Sequence, residues 1–396
     1  MRPVHALAFL VLPTFAALGD LDTVELTTLD GKTTTRPAAG FETKDPREQG
    51  AHLVHFDVTS APIESAADTC ELTLAGGERW IGKLTARAGE ELAVTLLPNV
   101  VLIASIDELA TLVYRERIPA EWTGTLGPAK EGDRLYRVQG NALDVLDGAI
   151  EEFTAQGVRF HGARVDSRTF AWNEVAALYV EGLGAHAAQA TTAAGVPVRV
   201  ELVQGSRVKG ALKQIGSGKL ALTARRDQTI ELPLGALREL FVDDGRAVWL
   251  SDLSPTRAEE SRPFGDDLGM TWKHQIDRSV TGRPLRAAGR AFAHGIGVHA
   301  PSTLAWKVEP DWKTLRGRVA IDDETQTLAA RGAVQFRVIV DGKKAWESPV
   351  VRGGDAPVQL PPIDLANATE LVLEVDPGPE SFRGDRADWL ELLVVR

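Results

Sequence analysis

Apolar and polar residues alternate in short runs over most of the chain, and glycine or Asp-Gly pairs cut one run from the next. A period of two broken by tight turns predicts strands and hairpins, and long stretches with the 3.6-residue period of an amphipathic helix are nearly absent. The expected class is all-β. Two stretches, residues 70–114 and 199–242, repeat one order of elements: strand, glycine turn, strand carrying Gly-x-Leu (Gly82 to Leu84, Gly210 to Leu212), glycine-bearing turn, strand, strand. In both, a short helical turn then feeds a last apolar strand. Residues 148–180 keep the closing pattern with Val175, Leu178 and Val180, and the opening "DTVELTTLDGKTTTRP" reads as a truncated strand-turn-strand member of the set. Each repeat is expected to form a small, strongly bent sheet or barrel of about five strands, because closure or pairing with a neighbour removes exposed edges.

The repeats divide the first part of the chain into region 20–118, region 119–182 and region 198–245, with the Ala/Gly/Thr-rich stretch 183–197 as a linker. Their element order resembles Sm-like small barrels in outline only. Composition shifts near Ala247: six of the nine tryptophans (Trp249, Trp272, Trp306, Trp312, Trp346 and Trp389) lie beyond it. The run "AVQFRVIVDGKKAWES" places Asp341-Gly342 between alternating strands, a strong hairpin signal. Several strands at short spacing, with no helix to cross over, predict an antiparallel β-sandwich for 246–396.

Length and charge narrow the possibilities. A chain of 396 residues exceeds the roughly 250–300 at which single cores stop growing, so several domains are expected. The net charge of −11, with no long Lys/Arg run, argues against nucleic acid as a partner. Residues 1–19 hold one arginine, an apolar run from Ala6 to Leu18 and small residues at Ala17 and Gly19, the layout of a secretory signal. No later stretch reaches the roughly 18 apolar residues of a transmembrane span. The single cysteine, Cys70, excludes an internal disulfide and reads as a small apolar strand residue. Export to the periplasm, the cell envelope or the medium is the expectation.

The C-terminal part resembles a known family. "VWLSDLSP", Trp272, "DRSVTGRPLRAAGRAFAHGIGVHAPSTLAWKV", "VAIDDETQ", the DGK hairpin, "VRGGDAP" and "GDRADWLELLVV" follow in the order of the NPCBM domain, the carbohydrate-binding module first described beside glycoside hydrolases of family 98 and related to family-51 carbohydrate-binding modules. The resemblance spans about residues 246–396. It implies a galactose-binding-like jelly roll, an accessory role in exported bacterial proteins, a glycan or polysaccharide as partner and a structural calcium near the strand ends.

Within that stretch, Gly295 and Gly297 suit a strand end that turns into a loop. His299 matches the motif histidine, while His294 falls where the motif varies. His299 is read either as a rim residue that hydrogen-bonds a sugar hydroxyl or as a buried imidazole that locks the loop. Zinc is not expected from this pair, because no third histidine or cysteine lies nearby to complete a tetrahedron. Trp272 is the candidate stacking platform. Asp385, Arg386 and Asp388 are candidate polar contacts, with Arg386 standing where the family pattern often has histidine, and Trp389 reads as core beside the last strand. Asp277 and Glu391 are the carboxylates expected to take the implied calcium, and the run "IDDE" stays open between a cation ligand and a solvated loop.

In the first 245 residues no catalytic set emerges. His161 lacks a partner at a recognised spacing, and Trp80, Trp122 and Trp172 read as packing residues. The favoured reading is an exported, non-catalytic carbohydrate-binding protein whose repeats act as spacers or protein-interaction modules. The alternatives are a glycoside hydrolase with an unrecognised catalytic part, which needs two carboxylates across a cleft, and a structural interaction protein of the cell envelope.

Overall fold

The computed structural model describes residues 20–59, 68–122, 126–162, 165–181, 194–260, 271–378 and 383–396. The expected secretory signal, 1–19, lies outside the described residues, as does most of the stretch read as a linker. Strands and short 3-10 turns make up the regular structure. Among the described residues no helix is long and apolar enough to cross a membrane. The chain falls into two compact units: residues up to Leu26 with Thr34–Val242, and Thr27–Thr33 with Asp243–Arg396.

The first unit contains three five-stranded sets built on one plan. The first set runs Thr69–Leu74, Arg79–Ala88, Glu91–Leu97 and Val100–Ser105 as an antiparallel meander. A 3-10 turn, Ile106–Glu108, then returns Leu109–Val113 to pair with the first strand. The second set repeats this from Asp133–Gln139 to Val175–Tyr179, and the third from Val196–Leu202 to Leu237–Val242. The second set therefore begins upstream of Gly148. Its first strand, "DRLYRVQ", carries three charged residues in seven, which hides its strand period in the sequence.

The second strand of each set is long and bent, with a bulge between Leu84 and Ala86, Ile150 and Glu152, and Leu212 and Gln214. Two residues before each bulge stands a glycine. A Cβ at Gly82, Gly148 or Gly210 would sit 2.2, 2.0 or 2.4 Å from a carbonyl oxygen of the third strand, so only glycine admits this close crossing. The Gly-x-Leu signature at Gly82 and Gly210, and Gly148-Ala149-Ile150 in the second set, thus mark the points where each sheet bends over itself. The opening strands Asp20–Thr27, Thr33–Pro37 and Leu53–Thr59 pair with one another, and Leu53–Thr59 pairs with Leu237–Val242, so they extend the third set.

The sets share one core, with Leu72, Trp80, Leu112, Phe160, Val200 and Leu240 among its buried residues. A buried ion network joins the first set to the third. Arg225 Nη1 lies 2.6 Å from Glu78 Oε2, its Nη2 bonds Glu108, and Glu78 also accepts the Lys209 N–H at 3.1 Å.

The second unit is an antiparallel β-sandwich. One sheet holds Gln275–Ile276, Gly295–His299, Arg386–Val395 and Thr314–Ile321, with short strands at its margins. The other holds Arg257–Glu259, Ser302–Lys307, Glu370–Pro377, Ala333–Val340 and Lys343–Glu347. Asp341 and Gly342 take φ of 48° and 72° in the turn of the last pair, the double positive φ of a two-residue hairpin. The two sheets meet through Ile296, Val319, Leu304 and Val338, and Trp389 sets its ring edge-on against Phe336 at 5.0 Å. Trp389 is core, fixed by its place on the inward face of the terminal strand.

Candidate functional site

The site grows from the pairing of two strands. Gly295–His299 runs antiparallel to Arg386–Val395, with His299 opposite Arg386, Gly297 opposite Asp388 and Ile296 opposite Trp389. Strand alternation sends Ile296, Val298 and Trp389 into the core and places His299, Gly297, Arg386 and Asp388 on the other face. That face is covered. A Cβ on Gly297 would lie 2.4 Å from the Arg278 carbonyl oxygen and 2.6 Å from the Val280 nitrogen, so segment 278–280 crosses directly over it.

At the end of this covered strip Trp272 lies parallel to His299, with ring centroids 5.3 Å apart and 13° between planes. Arg386 holds its guanidinium carbon 5.7 Å from the Trp272 centroid. The imidazole is buried and its Nδ1 lies 2.8 Å from the Ala300 carbonyl oxygen, which makes Nδ1–H the donor and leaves Nε2 as the acceptor of the neutral ring. Burial, aided by the positive charge of Arg386, lowers the His299 pKa against the opposing bond to Ala300. The indole therefore rests on an uncharged ring. Of the two readings of His299 the geometry shows the packed one: the ring is buried, bonded to the Ala300 carbonyl, and lies beneath the Trp272 indole rather than on a rim.

Arg386 is anchored by a residue that spacing gave no reason to pair with it. Its Nη1 lies 3.3 Å from Glu324 Oε1, and Glu324 also receives the Thr281 hydroxyl. Glu324 belongs to the 3-10 turn Asp323–Thr327, capped by Asp322, whose carboxylate accepts the Glu324 N–H at 2.8 Å and the Arg286 N–H at 3.0 Å. The "IDDE" run is thus not a solvated loop: Asp322 and Glu324 face inward, and Asp323 is tied to the Ala288 and Gly289 N–H groups. The signal that could have found Glu324 is a carboxylate three residues past a strand end in a chain with an arginine in the "ADW" motif.

Asp385 and Asp388 depart from the expected rim. Asp385 is fully buried, and its Oδ1 accepts the Ala333 N–H at 2.9 Å while its carbonyl accepts the Ala300 N–H at 3.0 Å, so it ties the starts of three strands together. Asp388 is 1 % exposed and lies against Asp322 beneath the covering segment. Of the five expected sugar contacts, Trp272 and Arg386 reach the surface in part, while His299, Asp385 and Asp388 lie below it.

The carboxylates expected to take calcium are engaged separately. Glu391 meets Arg318 at 3.0 Å and Arg290 at 3.9 Å, so its charge is answered by guanidinium groups. Asp277 Oδ1 accepts the Gly295 N–H at 3.1 Å and lies 3.6 Å from His294 Nδ1, and Asp252 offers a third ligand atom within 4.8 Å of these two. An imidazole in that set is foreign to calcium, which takes oxygen ligands, so Asp277 does not fit the implied ion, and Glu391 faces guanidinium groups instead. Asp252 and Asp277 reach His294 from distant positions in the chain, which sequence spacing around the histidine does not reveal. His294 itself is buried in a parallel stack on Trp249, with centroids 4.5 Å apart.

Comparison with known proteins gives the same stretch a family. Residues 246–394 match the NPCBM/NEW2 domain. Alpha-1,3-galactosidase B of Akkermansia muciniphila is 33% identical over 125 residues, which cover 31% of this chain and 15% of that protein. This chain therefore spans a small part of the curated relative's length. Among solved structures, a CBM51 module of GH95 from Clostridium perfringens, in complex with methyl-galactose, is 22% identical over 38% of this chain and 99% of its own, with a TM-score of 0.33. A CBM51-2 module with INT domains from Clostridium perfringens ZmpB, in complex with GlcNAc, is 25% identical over 50% of this chain and 40% of its own, with a TM-score of 0.34.

Proposed function

We propose that the NPCBM domain, residues 246–394, is the glycan-binding part of an exported, non-catalytic protein, and that the three β sets ahead of it serve as a spacer or as a surface for protein partners. The observation that carries this reading is the Trp272 platform: a half-buried indole laid on the neutral His299 ring, with the anchored Arg386 guanidinium at its side. A pyranose offers one apolar C–H face and a rim of hydroxyls. It is matched by an aromatic plane flanked by a few fixed polar groups in a shallow site that needs little reorganisation. Galactose-type sugars are the first ligands to test, because the curated relative is an alpha-1,3-galactosidase.

The test is a glycan array probed with the labelled protein and with Trp272→Ala. Binding to galactose-terminated glycans by the wild type and its loss in the variant support the reading. A wild-type protein that recognises no glycan on the array overturns it.

A further inference from the structure

Asp388 occupies an unusual position for a carboxyl group. It sits on the terminal strand opposite Gly297 on one side and Ala320 on the other, 1 % exposed, under the segment that crosses Gly297. Neither of its oxygens has a hydrogen-bond donor among the described residues. Its neighbour is the carboxyl group of Asp322, itself 2 % exposed and already accepting the N–H groups of Glu324 and Arg286. Two carboxylates in contact, sealed from water and with no donor between them, repel each other and leave acceptors unmet. One proton on the pair removes both faults.

We propose that Asp388 is the neutral acid of this pair, donating its proton to Asp322, and that this hydrogen bond is what positions Arg386 in the binding site. The path is short. Asp322 donates its own N–H to the Arg386 carbonyl at 3.0 Å and caps the turn that carries Glu324, and Glu324 holds the Arg386 guanidinium beside Trp272. Asp388 touches no ligand in this account. It acts through Asp322 and Glu324 as a positioning residue.

The charged groups around it agree. From the 322–327 segment, Asp322, Asp323 and Glu324 all add negative potential at Asp388. On its own strand Arg386 is spent on Glu324, and Arg283, from the covering loop, reaches Glu324 only at 4.0 Å. The facing strand offers Gly297 and the neutral His299, and Arg318 of the third strand is paired with Glu391. Burial first, and then Asp322, hold the Asp388 carboxyl well above the usual carboxylate range. For an acid whose value is raised by folding, the stabilisation is fully present below the ordinary carboxylate range and is lost as pH rises through the raised value.

The experiment uses the full chain and Asp388→Asn, whose amide supplies the same donor to Asp322 at every pH. Difference infrared spectra, wild type minus variant, should show a protonated-carboxyl C=O stretch at neutral pH that disappears in alkali. Relative to Asp388→Asn, the thermal midpoint of the wild type should fall as pH rises from the ordinary carboxylate range to the pH at which that band disappears and level off beyond it, leaving the variant the higher of the two in alkali. No protonated-carboxyl band, or an unfolding profile in the variant that keeps the wild-type pH dependence, overturns the proposal. Loss of the protonated-carboxyl band on addition of calcium, and its return in EDTA, also overturns it, because the pair would then hold a cation. Since the role in positioning rests on the glycan reading, a third arm measures methyl-galactose affinity: a fall in alkali for the wild type and a constant value for Asp388→Asn support it, and parallel profiles overturn the positioning role. Absence of sugar binding refutes the glycan reading alone, as the infrared and unfolding arms still decide the state of Asp388.

Discussion

Trp272 and His299 lie face to face with 13° between their planes, and only the indole reaches the surface in part. In the proposed sugar site the indole is therefore the contact and the imidazole its support. Trp272→Ala is expected to weaken galactoside binding by at least tenfold, about 1.4 kcal/mol, with little change in unfolding midpoint. His299→Ala removes a buried ring and its bond to Ala300, so it should lower both affinity and midpoint. Calorimetric titration paired with thermal melts distinguishes the two patterns.

The imidazole also predicts a pH response of opposite sign to that of Asp388. Burial and Arg386 lower the His299 pKa from its ordinary 6.5. Its contribution to stability is thus present above 6.5 and lost as pH falls through the lowered value. Ring resonances of His299 followed by NMR should stay those of the neutral Nδ1–H tautomer at pH values where exposed histidines are already charged. Titration of His299 together with the exposed histidines would contradict this.

The bent strands of the first unit predict a steep dependence on one atom. Gly82→Ala, Gly148→Ala and Gly210→Ala each drive a Cβ into a backbone carbonyl, and each should cost about 1–3 kcal/mol in denaturant unfolding. Gly127→Ala is the control. It meets nothing within 4 Å and should change stability by less than about 0.5 kcal/mol.

Arg225 predicts a larger effect. Its guanidinium joins Glu78 and Glu108 in the interior of the first unit, and Arg225→Ala leaves the Glu78 carboxylate buried without its cation. A loss of about 3–5 kcal/mol is expected in denaturant unfolding, with most of it recovered in Arg225→Met combined with Glu78→Gln. Equal losses in the single and double variants would show that the charge is not the cause.

What the sequence revealed and concealed follows from what each residue pattern encodes. Alternation with Asp341-Gly342 was enough to place the hairpin, because the turn chemistry is local. The Gly-x-Leu repeats at Gly82 and Gly210 pointed to the bends, yet "DRLYRVQ" passed unnoticed because its charged residues sit on a half-exposed strand. The site was harder. Trp272, His299 and Arg386 were legible as residues, and the structure brings them together. The burial of Asp385 and Asp388 was not, since on a terminal strand the residue facing away from the core reads as exposed until segment 278–280 is known to cover it. Glu324 and Asp252 were missed for a related reason: their partners, Arg386 and His294, are far away in the chain.

The central claim is that Trp272, on its bed of His299 and beside Arg386, is a sugar-binding surface. Isothermal titration of the intact protein with methyl-galactose tests it most directly. Saturable binding by the wild type, weakened at least tenfold in Trp272→Ala while the fold is retained, is the expected result. Equal binding by the two proteins, or none by either, would contradict it.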